Sequence, residues 1–454
     1  MIRARLNLAP LSLLVAVCFA SAPPSLRAQQ PPQAVRPAAQ PPATAETLAA
    51  PAYPGNVITE YSPGKDAYQK AVAYSAAQYR HFFLGALYSV LVLVIVLRLR
   101  LGPKYRDWAE RASPRRFVQV LIYAPALLLT VAVLGLPFDA WGHSLEHSFG
   151  LSVEGWGSWF VDWSTNQLVM LIVGALLIWI LYGVIRRSPR RWWLYFWLAS
   201  IPVLLALFFL QPLVIDPLFF TFKPLAGSHP ELATAIEQVV HQGGMTIPRD
   251  RIFEMNASSK MTGLNAYVTG FGSSKRAVIW DNTIRKAATP EVLFVFGHEM
   301  GHYVLQHIPK EIAIDAGILL VLFFLGARIA ARLISRRGER WKILGIDDWA
   351  SLPVLMLVLT ILAFLATPAF NAVSRHFEHE ADRYGLEVIH GIVPDAGQVA
   401  AHYFEKSGEI NLADPKPSSF DKFWMFDHPT RPERVHFVAT YDPWSAGGKP
   451  VYVR

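Results

Sequence analysis

The stretch TPEVLFVFGHEMGH, residues 289–302, decides how the rest of the chain is read. Thr289-Pro290-Glu291 is a helix start: a capping hydroxyl, a proline for the first turn and an acid near the positive helix end. The apolar run from Val292 to Phe296 leads straight into the histidines, so one helix is expected. His298 and His302 are four apart and project from the same face. Two imidazoles placed so can share one zinc ion at ~2.0–2.1 Å. Glu299 lies beside the first of them, where it can act as general base toward a water on that metal. Gly301 is read as leaving room beside the metal. His307, five residues past His302, is turned off the face and is expected at the surface.

A catalytic zinc takes a third protein ligand and keeps a fourth position open. Among later segments, Ser374 to Asp382 offers the best cluster of donors. Glu378 and Asp382 are again four apart, hence on one helical face, while Glu380 points away. Glu378 as ligand and Asp382 holding a ligand histidine would supply both the contact and its support. Each acid taken singly also suits a solvated helix face. Cys18 is the only cysteine among 454 residues, which excludes an internal disulfide and a cysteine-built zinc site.

The surroundings of these motifs are apolar. Hydrophobic residues make up 53% of the chain and charged residues only 17%, which points to a membrane class. Apolar stretches run over about 82–97, 117–137, 167–185, 193–213, 312–333 and 350–368. Each approaches the ~20 residues needed to cross a bilayer. Arg186, Arg187, Arg190, Arg191, Trp192 and Trp193 illustrate the basic and aromatic flanks expected at an interface.

The expected organisation follows from these runs. Residues 1–28 read as a signal peptide or signal anchor and 29–66 as a disordered Pro/Ala-rich linker. Residues 67–213 hold four membrane helices and 312–368 two more. A zinc protease domain occupies 214–311, completed by 369–454. Within it His229 to Gln242 reads as an amphipathic helix, and Asn265 to Phe271 with Arg276 to Trp280 as two strands. The fold class is mainly α: a multi-spanning helical bundle with a protease domain carrying a small β-sheet.

Several of these segments, in order, resemble the CAAX prenyl protease family of multi-spanning membrane zinc endopeptidases, and less closely its bacterial heat-shock relatives. The resemblance runs from about Tyr68 to Val435. It rests on Pro217-Leu218-Phe219, Pro224-Leu225, Asn265-Ala266-Tyr267, the histidine helix, Ser374-Arg375, Glu378, Ala381-Asp382, His428-Pro429 and Glu433-Arg434. It implies a gluzincin-like domain holding one Zn2+ per chain, with Glu378 the third ligand and Asp382 supporting a histidine. It implies that Asn265-Ala266-Tyr267 forms an edge strand that pairs with substrate backbone. It also implies that His428 and Arg434 sit at the active site, with His428 a catalytic residue that stabilises the oxyanion. Read alone, His428 is a loop histidine and Arg434 a partner in a surface ion pair. The chain departs from the family at its first membrane helix, which has no counterpart except the signal segment, and at His379 and Glu380, which replace less charged residues.

The net charge of +8 does not require nucleic acid as a partner. Lys and Arg concentrate in loops after the first, third and fifth apolar stretches, whereas loop 138–166 contains neither. The positive-inside rule puts the basic loops in the cytoplasm and both zinc-bearing regions outside it. The resemblance implies the reverse, a cytosolic site. The expected partners are therefore the lipid bilayer, of a bacterial inner membrane, and a peptide or protein substrate. Two rivals stand beside this reading. An intramembrane site-2-type protease would need an aspartate ligand late in a span, where only Asp315 is on offer. An inactive zinc-binding scaffold would not need Glu299.

Overall fold

The computed structural model describes residues 57–269, 276–445 and 447–453. The signal segment and most of the expected linker lie outside these residues. Within them, six helices are long and apolar enough to cross a membrane. They are α1 (Lys65–Arg98), α3 (Arg116–Ser148), α4 (Trp156–Arg187), α5 (Trp192–Leu210, continued to Phe219), α9 (His307–Trp341) and α10 (Leu352–Ile389). The short α2 (Leu101–Ala112) joins the first two. The protease part contains α6 (Pro230–Gln242), α7 (Asp281–Lys286), α8 (Thr289–Val304), α11 (Ala396–Ile410), α12 (Ser419–Met425) and α13 (Arg431–Thr440).

Its sheet has four strands: β1 (Phe222–Pro224), β2 (Ile252–Met255), β3 (Ala266–Thr269) and β4 (Arg276–Trp280), in the order β1-β2-β4-β3. β2 and β4 run parallel, and the outer pairs are antiparallel, with Ala266 opposite Ile279 and Thr269 opposite Arg276. The strand expected over Asn265 to Phe271 begins at Ala266, and Gly270 to Lys275 lie outside the described residues. Alternation splits the side chains of β3. Ala266 and Val268 join the core that also contains Phe294, Phe296, Leu386 and Phe404. Tyr267 lies on the other face with Met255, Val278 and Trp280.

The basic connections gather at one end of the bundle. Arg106 Nη1 on α2 lies 2.7 Å from Asp348 Oδ2, and Arg100 Nε donates to the Arg340 carbonyl at 3.0 Å. The Arg186 guanidinium stacks on Trp349 at 4.2 Å, and Trp349 Nε1 donates to Gln119 Oε1 at 3.0 Å. The connection without Lys or Arg meets the protease part instead. Val153 N–H donates to the Lys260 carbonyl at 3.0 Å, and Thr262 N–H to the Leu151 carbonyl at 3.1 Å.

Two expected boundaries shift. The linker does not extend to residue 66. Ile58 and Tyr61 are buried in the protease core, and Ile58 N–H donates to Gln398 Oε1 at 2.8 Å. The divisions drawn at 311 and 368 fall inside α9 and α10, so membrane and protease parts are continuous through both helices.

One contact fixes where α8 lies. A Cβ on Gly297 would come within 2.7 Å of Val388 Cγ1, and one on Gly385 within 3.0 Å of the His298 backbone nitrogen. A Cβ on Gly301 would be 3.1 Å from Ala381 Cα. The room at Gly301, expected beside the metal, is thus taken up by α10. Replacing Gly385 by valine should force the two helices apart at a cost of about 1–3 kcal/mol or more. The expected outcome in purified protein is a lower thermal midpoint in detergent together with loss of bound metal. A normal metal content would contradict this account of the crossing.

Candidate metal centre and active site

The helix start differs in detail from the expected one. Thr289 is the first helical residue, Ala288 occupies the cap, and Glu291 Oε2 accepts the Ala288 N–H at 2.8 Å. Glu291 is buried, and Lys406 Nζ on α11 lies 2.6 Å from its carboxylate. This anchoring sets the rotation of α8, which carries His298 and His302 on the face toward α10.

Across the crossing, Glu378 of α10 meets both rings. His298 Nε2 lies 3.3 Å from Glu378 Oε2, His302 Nε2 lies 3.5 Å from Oε1, and the two Nε2 atoms are 3.2 Å apart. Among the described residues these three form the one group whose donor atoms converge closely enough to hold a metal ion. The donor set suits such an ion. Glu378 Oε2 is buried without a hydrogen-bond partner, and one imidazole nitrogen faces each oxygen of this carboxylate, His298 Nε2 at Oε2 and His302 Nε2 at Oε1. Two histidines and a carboxylate with a fourth direction free is the pattern of a catalytic zinc site.

Behind His298 stands a chain of buried partners. Its Nδ1 lies 2.9 Å from Asp382 Oδ1. Arg434 Nε donates to Asp382 Oδ2 at 2.8 Å, its Nη2 contacts Oδ1, and its guanidinium lies 4.3 Å from the Phe404 ring centre. Burial alone would lower the His298 pKa, but Asp382 and Glu378 hold it up at about 9, whereas burial pushes His302 down to about 3. Arg434 reaches Asp382 because α13 starts where it does. Thr430 N–H donates to Glu433 Oε2 at 2.8 Å and Glu433 N–H to Thr430 Oγ1 at 3.4 Å, a capping box that puts Arg434 in the first turn. Arg434 is buried at the centre rather than in a surface ion pair, and His428, on a loop as its simple reading has it, is part-buried against Glu378. His428 Nε2 is 2.9 Å from Glu378 Oε1, and Nδ1 is 2.7 Å from Asp427 Oδ1. Arg375 holds the loop that presents His428, donating to the Phe426 carbonyl at 2.5 Å.

Glu299 is buried next to this group, and burial pushes its carboxyl up to about 7. A carboxylate with that pKa can both accept and return a proton near neutral pH. The strand residues are placed differently. β3 is the terminal strand of the sheet and packs beside α8. The Asn265 backbone is bound by Thr283, whose Oγ1 accepts its N–H at 2.8 Å and donates to its carbonyl at 2.7 Å. Ala266 is buried, and the Tyr267 ring lies on the opposite sheet face. His307 corrects the expectation of a surface residue. It is fully buried, with Nδ1 3.2 Å from His302 Nδ1. Gln306, at φ 58° between the end of α8 and the start of α9, turns the chain so that His307 folds back. That reversal has no signal in residue spacing.

Known proteins match this arrangement along most of the chain. The model of peptidase family M48 matches residues 227–442. The model described as the CAAX prenyl protease N-terminal part, five membrane helices, matches residues 47–221. Of those helices, four spans lie among the described residues. An uncharacterized metalloprotease, YhfN, of Bacillus subtilis is 33% identical over 365 residues, covering 80% of this chain and 84% of that protein. The human CAAX prenyl protease 1 homolog is 24% identical, covering 83% and 86%. The crystal structure of S. mikatae Ste24p superposes with a TM-score of 0.71 at 21% identity, covering 87% of this chain and 93% of that one. Helical spans, mixed sheet and crossed helices therefore share one fold with that protein, and the chain belongs to peptidase family M48 as a membrane-embedded metalloendopeptidase.

Proposed function

We propose that the chain hydrolyses peptide bonds with one zinc ion held by His298, His302 and Glu378. The observation that carries this reading is the convergence of those three donors beside the buried Glu299 carboxyl. Zinc, when bound, supplies Lewis acidity at the scissile carbonyl. Glu299 takes a proton from the attacking water and returns it to the leaving amine. Asp382 fixes the tautomer and direction of His298, and Arg434 keeps Asp382 ionised and in place. His428, held by Asp427, provides a donor for the oxyanion. The main chain of β3 provides an edge along which Asn265, Ala266 and Tyr267 align an extended substrate.

The substrate class we favour is exported or membrane protein in a bacterial inner membrane. Basic loops at one end of the bundle and the protease part at the other support a site outside the cytoplasm. That placement separates this chain from any cytosolic substrate, although relatives carry the name CAAX prenyl protease 1 homolog. A reporter active only in the cytoplasm, fused after Arg454, should stay silent. A bright fusion would reverse the orientation.

Glu299→Gln should retain zinc at wild-type stoichiometry and lower peptide turnover about 10²–10⁴-fold, measured with a quenched fluorescent peptide. Near-normal turnover by that variant would eliminate the mechanism. Treating purified wild-type protein with a chelator should abolish cleavage, and adding back Zn2+ should restore it. Activity that survives metal removal, checked by elemental analysis, would eliminate the metal's role.

A further inference from the structure

We propose that His307 is a positioning residue for the zinc ligand His302, oriented in turn by Glu380. The two ligand histidines are supported differently. His298 has a carboxylate behind it, Asp382 at 2.9 Å. Among the described residues, the group at His302 Nδ1 is another imidazole, His307 Nδ1 at 3.2 Å. A ligand that offers Nε2 to a metal carries its proton on Nδ1. His307 Nδ1 must then accept, which puts the His307 proton on Nε2. That atom lies 3.2 Å from Glu380 Oε2, away from the ideal hydrogen-bond direction. One set of tautomers therefore pairs the two Nδ1 atoms, and it turns the His307 Nε2–H toward the Glu380 carboxylate at an electrostatic contact rather than a hydrogen bond.

The ring has little freedom to leave this position. It is fully buried and stacks on Phe377, with centroids 4.7 Å apart and planes 16° from parallel. Glu380 is fixed from beyond, because its Oε1 accepts the Tyr452 hydroxyl at 2.9 Å. Tyr452 belongs to a C-terminal strap whose backbone is tied down. The N–H groups of Val451, Tyr452 and Val453 donate to the two oxygens of buried Glu387 at 2.8, 2.6 and 2.9 Å. Glu380, which departs from the family pattern and points away from the metal donors, thus has a defined role. It aligns His307, which aligns His302.

The proposal rests on the zinc reading of the site. Its test measures zinc affinity of the full-length protein in detergent by competition with a chromogenic chelator, and the visible spectrum after loading Co2+. His307→Leu should weaken zinc binding about 10–100-fold and alter the cobalt bands. His307→Gln keeps an acceptor oxygen near the lost Nδ1 and should recover most of the affinity. Wild-type affinity and spectrum in His307→Leu, or no recovery in His307→Gln, would overturn the proposal. If His307→Leu does not fold, Glu380→Ala, which removes the acceptor, is read the same way, and an unchanged affinity and spectrum there overturns it. A wild-type protein that takes up no zinc or cobalt would sink the zinc reading itself.

Discussion

The close crossing of α8 over α10 is the constraint on which the rest of the molecule depends. His298 and His302 can meet Glu378 only if the two backbones nearly touch, and side chains at Gly297, Gly301 or Gly385 would hold them apart. Large apolar residues fill the remaining faces of both helices: Leu293, Phe294 and Phe296 on one, Tyr384, Leu386 and Val388 on the other. The glycines permit the approach and the apolar core enforces it. Three metal-binding side chains are thereby delivered by rigid elements rather than loops, which is what a site needs to hold its geometry.

Such an approach buries charge, and the chain answers with partners for each group. Asp382 is paired with Arg434 and His298, Glu291 with Lys406, and Glu387 with the strap N–H groups. Removing one partner of a buried pair typically costs about 3–5 kcal/mol, because the other charge is left without compensation. Glu378 stands apart from this pattern. One of its oxygens is buried without a hydrogen bond, as expected for a group whose partner is a cation.

The local elements were legible in the sequence and the long-range reversals were not. His298, Glu299 and His302 share a helix because a spacing of four leaves no alternative once the segment is helical. The same spacing put Glu378 and Asp382 on one face of α10, and the six apolar stretches became the six long helices. What failed depends on contacts between distant residues. Gly301 read as space for a metal because nothing local announces Ala381 and Tyr384 against it. His307 read as surface because the reversal at Gln306 is a non-glycine residue at positive φ, which composition does not mark. Ile58 and Tyr61 were lost in a Pro/Ala-rich run, although their partners are Gln398 and Gly408, more than three hundred residues away. His428 and Arg434 have no spacing relation to the donors they meet, and it was family resemblance that pointed to them.

Continuity of the helices also places Glu378 and His307 along the bundle. α10 starts at Leu352, beside the turn where Arg106 and Asp348 pair at the basic end. At a rise of ~1.5 Å per residue, Glu378 is roughly 39 Å along that axis. The hydrocarbon core of a bilayer is ~30 Å thick, so Glu378 is farther from the start of α10 than that core is deep. α9 gives an independent measure, since His307 is its first residue and Arg336 and Arg337 lie near its other end. From Arg336 back to His307 is roughly 44 Å by the same rise. Two helices, read in opposite chain directions, thus bring Glu378 and His307 to the same end of the bundle, away from the basic connections. In the proposed reading, a substrate would then approach His298, His302 and Glu378 from that end of the bundle, with an extended segment aligned along β3.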